Sequence, residues 1–178
     1  MAIRILPAAV EDAAAIAEVH VASSRSTYSG ILPPETLERF SVAERTARWT
    51  KWLSDGEAGW SCFVAIDDSS NMVGFVCGGR ARSESLQADG ELYAIYLRAE
   101  AQRRGIGRAL ARRMAEALQS AGFRSMGLWV LEANPACRFY EAMGGSQVAE
   151  QEIERDGVRL KELGYRWDLR KGALGGGR

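Results

Sequence analysis

The stretch "GELYAIYLRAEAQRRGIGRAL", residues 90–110, constrains this chain more than any other. Residues 90–97 are apolar on both faces, as a central strand must be. A tight turn follows at Gly105 and Gly107. From about 103 to 121, Ile106, Leu110, Met114, Ala117 and Leu118 recur at helical spacing, and Gly122 supplies the stop. A strand, a glycine turn and an amphipathic helix in this order place the chain among mixed α/β domains.

The flanking sequence supports one such domain. "IRILP" (3–7) reads as a short strand, and a helix is expected from Val10 to about Arg25. After the loop "YSGILPPE", Ser41 and Glu44 form a capping-box pattern, and the helix it opens carries Trp49, Trp52 and Leu53 on one face. "WSCFVAI" (60–66) and "MVGFVCGG" (72–79) read as a hairpin joined by "DDSSN". "SMGLWVL" (125–131) is a further strand. "NPACRFYEAMGG" is a short helix with Asn134 as cap, Pro135 in the first turn and Gly144 as stop. Two closing strands flank "RDG" at 155–157. Residues 1–170 form one domain in this reading, and 171–178 a flexible Gly-rich tail.

The 23 basic and 23 acidic residues cancel, so no global field draws the protein to nucleic acid or to a membrane. Cys62, Cys77 and Cys137 lack metal-knuckle spacing, and His20 is the single histidine, so no metal site is expected. The N-terminal residues show neither a secretion signal nor a membrane span, which points to the cytoplasm with reduced thiols.

Charge is concentrated locally. The window 98–113 holds Arg98, Arg103, Arg104, Arg108, Arg112 and Arg113 against Glu100 alone. Arg104, Arg108 and Arg112 recur at helical spacing, as a solvated helix face would have them. The series nevertheless begins before the helix, where positive side chains oppose the dipole unless an anion is bound. The glycines let backbone N–H groups approach such an anion closely. No G-x-x-x-x-G-K-S/T run exists, and G-x-G-x-x-G fails because position 110 is leucine.

"QRRGIG" after "LYAIYL" resembles motif A of the GNAT superfamily of acetyl-CoA-dependent N-acetyltransferases, Gln/Arg-x-x-Gly-x-Gly/Ala. "LWVLEANPACRFYEAMGG" is similar to that family's motif B: strand, Asn, short helix, Tyr, then Gly. The two motifs cover residues 90–145, and the remaining elements extend the resemblance from about 3 to 169. It implies a GNAT-like acyl-CoA N-acyltransferase fold, α/β with a central, mostly antiparallel sheet of about seven strands flanked by helices.

The resemblance also implies roles. Gln102, Arg103, Arg104, Gly105, Ile106, Gly107 and Arg108 match the positions that hold the pyrophosphate of coenzyme A. Ile95, Tyr96 and Leu97 match the backbone that pairs with the pantetheine arm, on a strand that splays from its neighbour. Asn134 matches the residue that reaches that arm, a role compatible with capping. Tyr140 matches the tyrosine that protonates the departing thiolate, a transfer that a phenol of pKa near 10 can make. Glu91 is the candidate general base, with Asp89 and Glu84 as substitutes. Relatives that acetylate protein N-termini place a Glu near the position of Trp129, so its absence here speaks against a protein acceptor. Cys137 lies one helical turn before Tyr140, but a thiol nucleophile needs a base and a buried structural thiol is the ordinary reading.

The expected activity is transfer of the acetyl group of acetyl-CoA, as co-substrate, to a primary amine of a small molecule. The alternatives are a non-catalytic acyl-CoA sensor and acetylation of a protein amine. "STYSGILPP", the segment 84–91 and the closing strands are expected to line the acceptor site. Tyr28 and the acids there point to a small cationic amine. The resemblance also allows a homodimer through edge strands.

Overall fold

The structure, a computed structural model, describes residues 2–56, 58–172 and 174. In chain order it contains β1 (Ile3–Pro7), α1 (Ala13–Tyr28), α2 (Pro34–Glu38), α3 (Val42–Asp55), β2 (Ser61–Asp67), β3 (Met72–Arg80) and β4 (Gly90–Leu97). There follow α4 (Ile106–Ser120), β5 (Ser125–Leu131), α5 (Cys137–Ala142), β6 (Ser146–Arg155) and β7 (Val158–Asp168). The strands form one seven-stranded sheet in the order β1-β2-β3-β4-β5-β7-β6. Neighbours are antiparallel except for the β4–β5 pair. The expected architecture is the one observed.

Both faces of the sheet are covered, which explains why its middle strands are apolar throughout. Along β2, Cys62 and Val64 point to a core shared with Ile16, Val19 and Trp49 of α1 and α3. Phe63 and Ala65 alternate to the opposite core, built on Leu110, Met114 and Leu118 of α4. Phe75 and Val76 divide in the same way along β3. Among the described residues no helix is long and apolar enough to cross a membrane.

Several element ends differ from expectation for local reasons. The helix read from about 103 begins only at Ile106, because Arg103 (φ 57°) and Gly105 (φ 81°) adopt left-handed backbone that a right-handed helix cannot contain. Val10–Asp12 forms a separate 3₁₀ turn, and α1 then runs past Arg25 to Tyr28. The short helix after Asn134 begins at Cys137, because the Asn134 side chain closes its own turn by accepting from the Ala136 N–H at 2.9 Å. Ser41 caps α3 as expected, its hydroxyl accepting from the Glu44 N–H at 3.3 Å. Of the tail expected from 171, residues 173 and 175–178 lie outside the described ones. Leu174 is buried in the core, with the Arg112 Nε donating to its carbonyl at 3.2 Å.

Two features of the sheet open a cleft. β4 and β5 are paired only at Gly90–Met126 and Glu91–Gly127, after which they part. The register of β4 against β3 passes from Leu92–Gly78 to Ala94–Cys77, so Tyr93 is an extra residue in a bulge just beyond the fork. A bulge sharpens local twist and re-aims the strand. The β6–β7 hairpin turns at Asp156 (φ 52°) and Gly157 (φ 77°), and its tip reaches α2. There Asp156 accepts from the Thr36 hydroxyl at 2.8 Å and pairs with Arg39 at 3.0 Å.

Candidate active site

The fork between β4 and β5 leads into a cleft of about 1530 Å³. On one side lie Ile95, Tyr96 and Leu97, whose strand has left β5, and beyond them Gln102, Arg103, Gly105, Gly107 and Arg108 of the glycine turn. Opposite stand Leu128–Leu131 of β5, with Asn134 and Tyr140 from the segment that follows. The parting of the strands therefore brings both sequence motifs to one cavity.

The turn is shaped to leave its backbone accessible. A Cβ placed on Gly105 would meet no atom within 4 Å, and the residue sits at positive φ where side chains are disfavoured. Gly107 is different: there a Cβ would lie 3.3 Å from Leu97 and 3.4 Å from Phe139, so this glycine lets α4 pack against β4 and α5. Ile106 is a core residue, leaving only its backbone for a ligand. Arg104 is exposed and stands outside the cleft wall. The Leu97 carbonyl accepts from Ser23 at 2.9 Å and from Gln102 at 3.4 Å, tying the end of β4 to α1 and to the turn.

Tyr140 is buried against Phe139, Tyr165 and Trp167, yet its side chain lines the cleft. Its hydroxyl makes no hydrogen bond among the described residues. Burial, with Tyr96 and Cys137 beside it, pushes the phenol above its ordinary range and holds it protonated. Cys137 is turned away from nucleophilic duty. Its thiol is bonded to the Leu131 carbonyl at 3.5 Å, and burial followed by the Glu141 charge raises it. Asn134 does not cap α5, whose N-cap is Ala136; its side-chain oxygen accepts from the Ala136 N–H in the preceding turn, and the residue lines the cleft as well.

Of the three acids considered as base, only Glu91 lines the cleft. Asp89 accepts from the N–H groups of Arg124 and Ser125 and from the Ser125 hydroxyl, stapling the turn before β5. Glu84 opens a 3₁₀ turn outside the cleft. The Glu91 carboxylate is buried and engaged by one residue. Arg82 donates its backbone N–H at 2.8 Å, its Nε at 3.2 Å and a terminal nitrogen at 2.5 Å. That guanidinium lies 4.1 Å above the Tyr93 ring, the bulged residue.

The remaining wall comes from α1 and α3. Ser26, Thr27 and Tyr28 belong to the loop-proximal segment expected there, and the Tyr28 and Tyr96 hydroxyls are 3.1 Å apart. Arg155 and Glu162 of the closing strands line the cleft as well. Phe40, Arg45, Trp49 and Trp52 were not expected. The Trp49–Trp52 face of α3 reads in sequence as packing, and Trp49 is indeed buried, but Trp52 is 44% exposed. Arg45, four residues before Trp49, was the available signal, a cation on an aromatic helix face. His20 is structural: its Nδ1 accepts from the Trp49 indole at 3.3 Å, while burial and then the Arg45 charge bring it down to about 4.

Comparison with known proteins agrees with this geometry. Residues 25–145 match the Acetyltransferase (GNAT) family. YuaI, an uncharacterised N-acetyltransferase of Bacillus subtilis (strain 168), is 44% identical over 165 residues, covering 93% of this chain and 92% of that protein. The fold is similar to that of PaiA N-acetyltransferase from Thermoplasma acidophilum in complex with coenzyme A, with TM-score 0.67 and 21% identity over 94% of this chain and 99% of that one. It is also similar to that of YncA from Salmonella typhimurium with its cofactor acetyl-CoA, with TM-score 0.71 and 20% identity over 95% of each chain. The chain belongs to the GNAT family, and it is an N-acetyltransferase, an enzyme of the acyltransferase class.

Proposed function

We propose that this enzyme takes the acetyl group of acetyl-CoA and passes it to a primary amine of a small molecule by direct attack. The observation that carries the reading is the β4–β5 fork, which joins an arginine-flanked glycine turn to an unengaged, protonated Tyr140 within one cleft. Acetyl-CoA supplies the activated acyl group as a thioester.

The rest is the work of this chain's own residues. The turn fits a diphosphate: Gly105 leaves its backbone uncovered, and Arg103 and Arg108 flank it in the cleft wall. The β4 edge beyond Glu91 has no strand partner on the β5 side, so its peptide groups there are available to an extended pantetheine arm. Asn134 stands on the opposite wall for the same arm. Tyr140 donates its phenolic proton to the thiolate leaving group. Glu91 receives the ammonium proton of the amine, with Arg82 orienting its carboxylate. The three bonds from Arg82 favour a second reading for this one residue, in which the pair serves to hold the fork open.

A panel of amines tests the proposal through release of coenzyme A thiol. Amine-dependent release is expected. A protein that binds coenzyme A while no amine accelerates release is a sensor module, and the transfer reading then fails.

A further inference from the structure

The charges around the acceptor wall are not balanced. Three acids line the cleft, and each is engaged: Asp55 by Lys51 at 2.6 Å, Glu91 by Arg82, and Glu162 by the Gln151 amide at 2.8 Å. Glu84 and Asp89, the other acids expected to draw a cationic amine, lie outside the cleft. On the side of the cleft formed by α3 and the β6–β7 hairpin, two cations have no such partner. Arg45 of α3 is half-buried beside the Phe40 ring, 5.8 Å from its centroid, and Arg155 stands at the end of β6. Among the described residues neither forms an ion pair.

The position of Arg155 is fixed by its neighbour. Asp156 holds the hairpin tip on α2 through Thr36 and Arg39, so Arg155 is carried to the cleft from the opposite end of the sheet. The two guanidinium groups sense each other. Arg45 is held below its ordinary value by burial first and by repulsion from Arg48 and Arg155, with Tyr96 and the neighbouring Glu44 acting the other way. The same charge field takes in the Tyr28–Tyr96 hydroxyl pair, and Tyr28 in turn senses Tyr140. Two guanidinium groups that form no ion pair among the described residues therefore line the same cleft as Tyr140. Like charges gathered with little paired counter-charge are less favourable until an anion joins them.

We infer that the acceptor is an amine that also carries an anionic oxygen group, a carboxylate or a phosphonate, and that Arg45 and Arg155 bind this group beside Tyr28 and Tyr96. The inference rests on the amine-transfer reading and names its substrate class.

Two readouts separate the claims. Thiol release is measured with L-amino acids, with their neutral amides and with aminoalkylphosphonates. Binding of the same compounds to the coenzyme A-loaded protein is measured by calorimetry. At least one anionic arm is expected to exceed its neutral counterpart in kcat/KM and in affinity by roughly ten- to hundred-fold. The stronger arm identifies the oxyanion. Arg45→Gln, Arg155→Gln and the double variant should collapse that ratio toward one. Equal or better use and binding of the amides, or a ratio that survives both substitutions, overturns the inference. If no amine stimulates thiol release yet calorimetry shows anion preference lost in the variants, the subsite stands and the transfer reading falls.

Discussion

Tyr140 and Glu91 carry different burdens, and single substitutions tell them apart. Tyr140→Phe removes only a hydroxyl that makes no hydrogen bond among the described residues, so the fold is expected to be retained and the loss to be chemical. We expect kcat to fall about a hundred-fold or more with little change in the KM for acetyl-CoA. The sign of its pH dependence follows from its raised pKa: the phenol keeps its proton through the alkaline range. The wild-type rate should therefore show no decline from phenol ionisation up to about pH 10. Steady-state profiles of the two proteins check both points. Glu91→Gln keeps one acceptor oxygen for the Arg82 guanidinium while removing the base, and gives up the bond from the Arg82 N–H. If Glu91 takes the proton, kcat/KM for the amine falls by about a hundred-fold and recovers as pH rises and the free amine accumulates. A pH-independent loss assigns Glu91 to positioning. The roles of Tyr140 and Glu91 were suggested by the motifs, but the Arg82 clamp was not legible. It joins residues nine apart across the β3–β4 connection, and neither hydrophobic periodicity nor local spacing encodes that contact.

At the scale of elements, the glycine turn and the fork do the positioning. The run "GELYAIYL" was legible to its ends because a continuous apolar stretch bounded by polar loops specifies a buried strand. The start of α4 was not, since helical spacing begins at the arginines while the backbone does not turn right-handed until after Gly105. The bulge at Tyr93 and the hairpin tip on α2 were also hidden, because both depend on register between distant strands. Gly105→Ala forces a side chain onto left-handed backbone with open space around it. It should cost about 1 kcal/mol in stability and weaken coenzyme A binding. Gly107→Ala meets Leu97 and Phe139 at tight but adjustable distances, with a smaller stability loss expected. Thermal unfolding and coenzyme A titration of both variants measure the contrast. Arg103→Ala combined with Arg104→Ala should raise the Kd for coenzyme A at least ten-fold and flatten its salt dependence. An unchanged Kd would remove the pyrophosphate from this turn.

Across the whole molecule, one sheet separates two cores and exposes function only where two of its strands part. The α1–α3 side is ordered around a neutral histidine. His20 is at about 4 in the fold and near 6.5 unfolded, so between these values the unfolded chain binds more protons. Its contribution is complete above pH 6.5 and is lost as pH falls through 4. The size is on the order of 3 kcal/mol. His20→Asn should flatten the fall of Tm between pH 7 and pH 4, read by calorimetry against wild type.

The central claim is direct passage of the acetyl group across the β4–β5 cleft from acetyl-CoA to an amine. It is tested most directly with acetyl-labelled acetyl-CoA, following the label in the amine and in the intact protein by mass spectrometry. The predicted result is label in the amine, one thiol released per label transferred, and an unmodified protein throughout. Label held on the protein, or thiol release that ignores the amine, would contradict it.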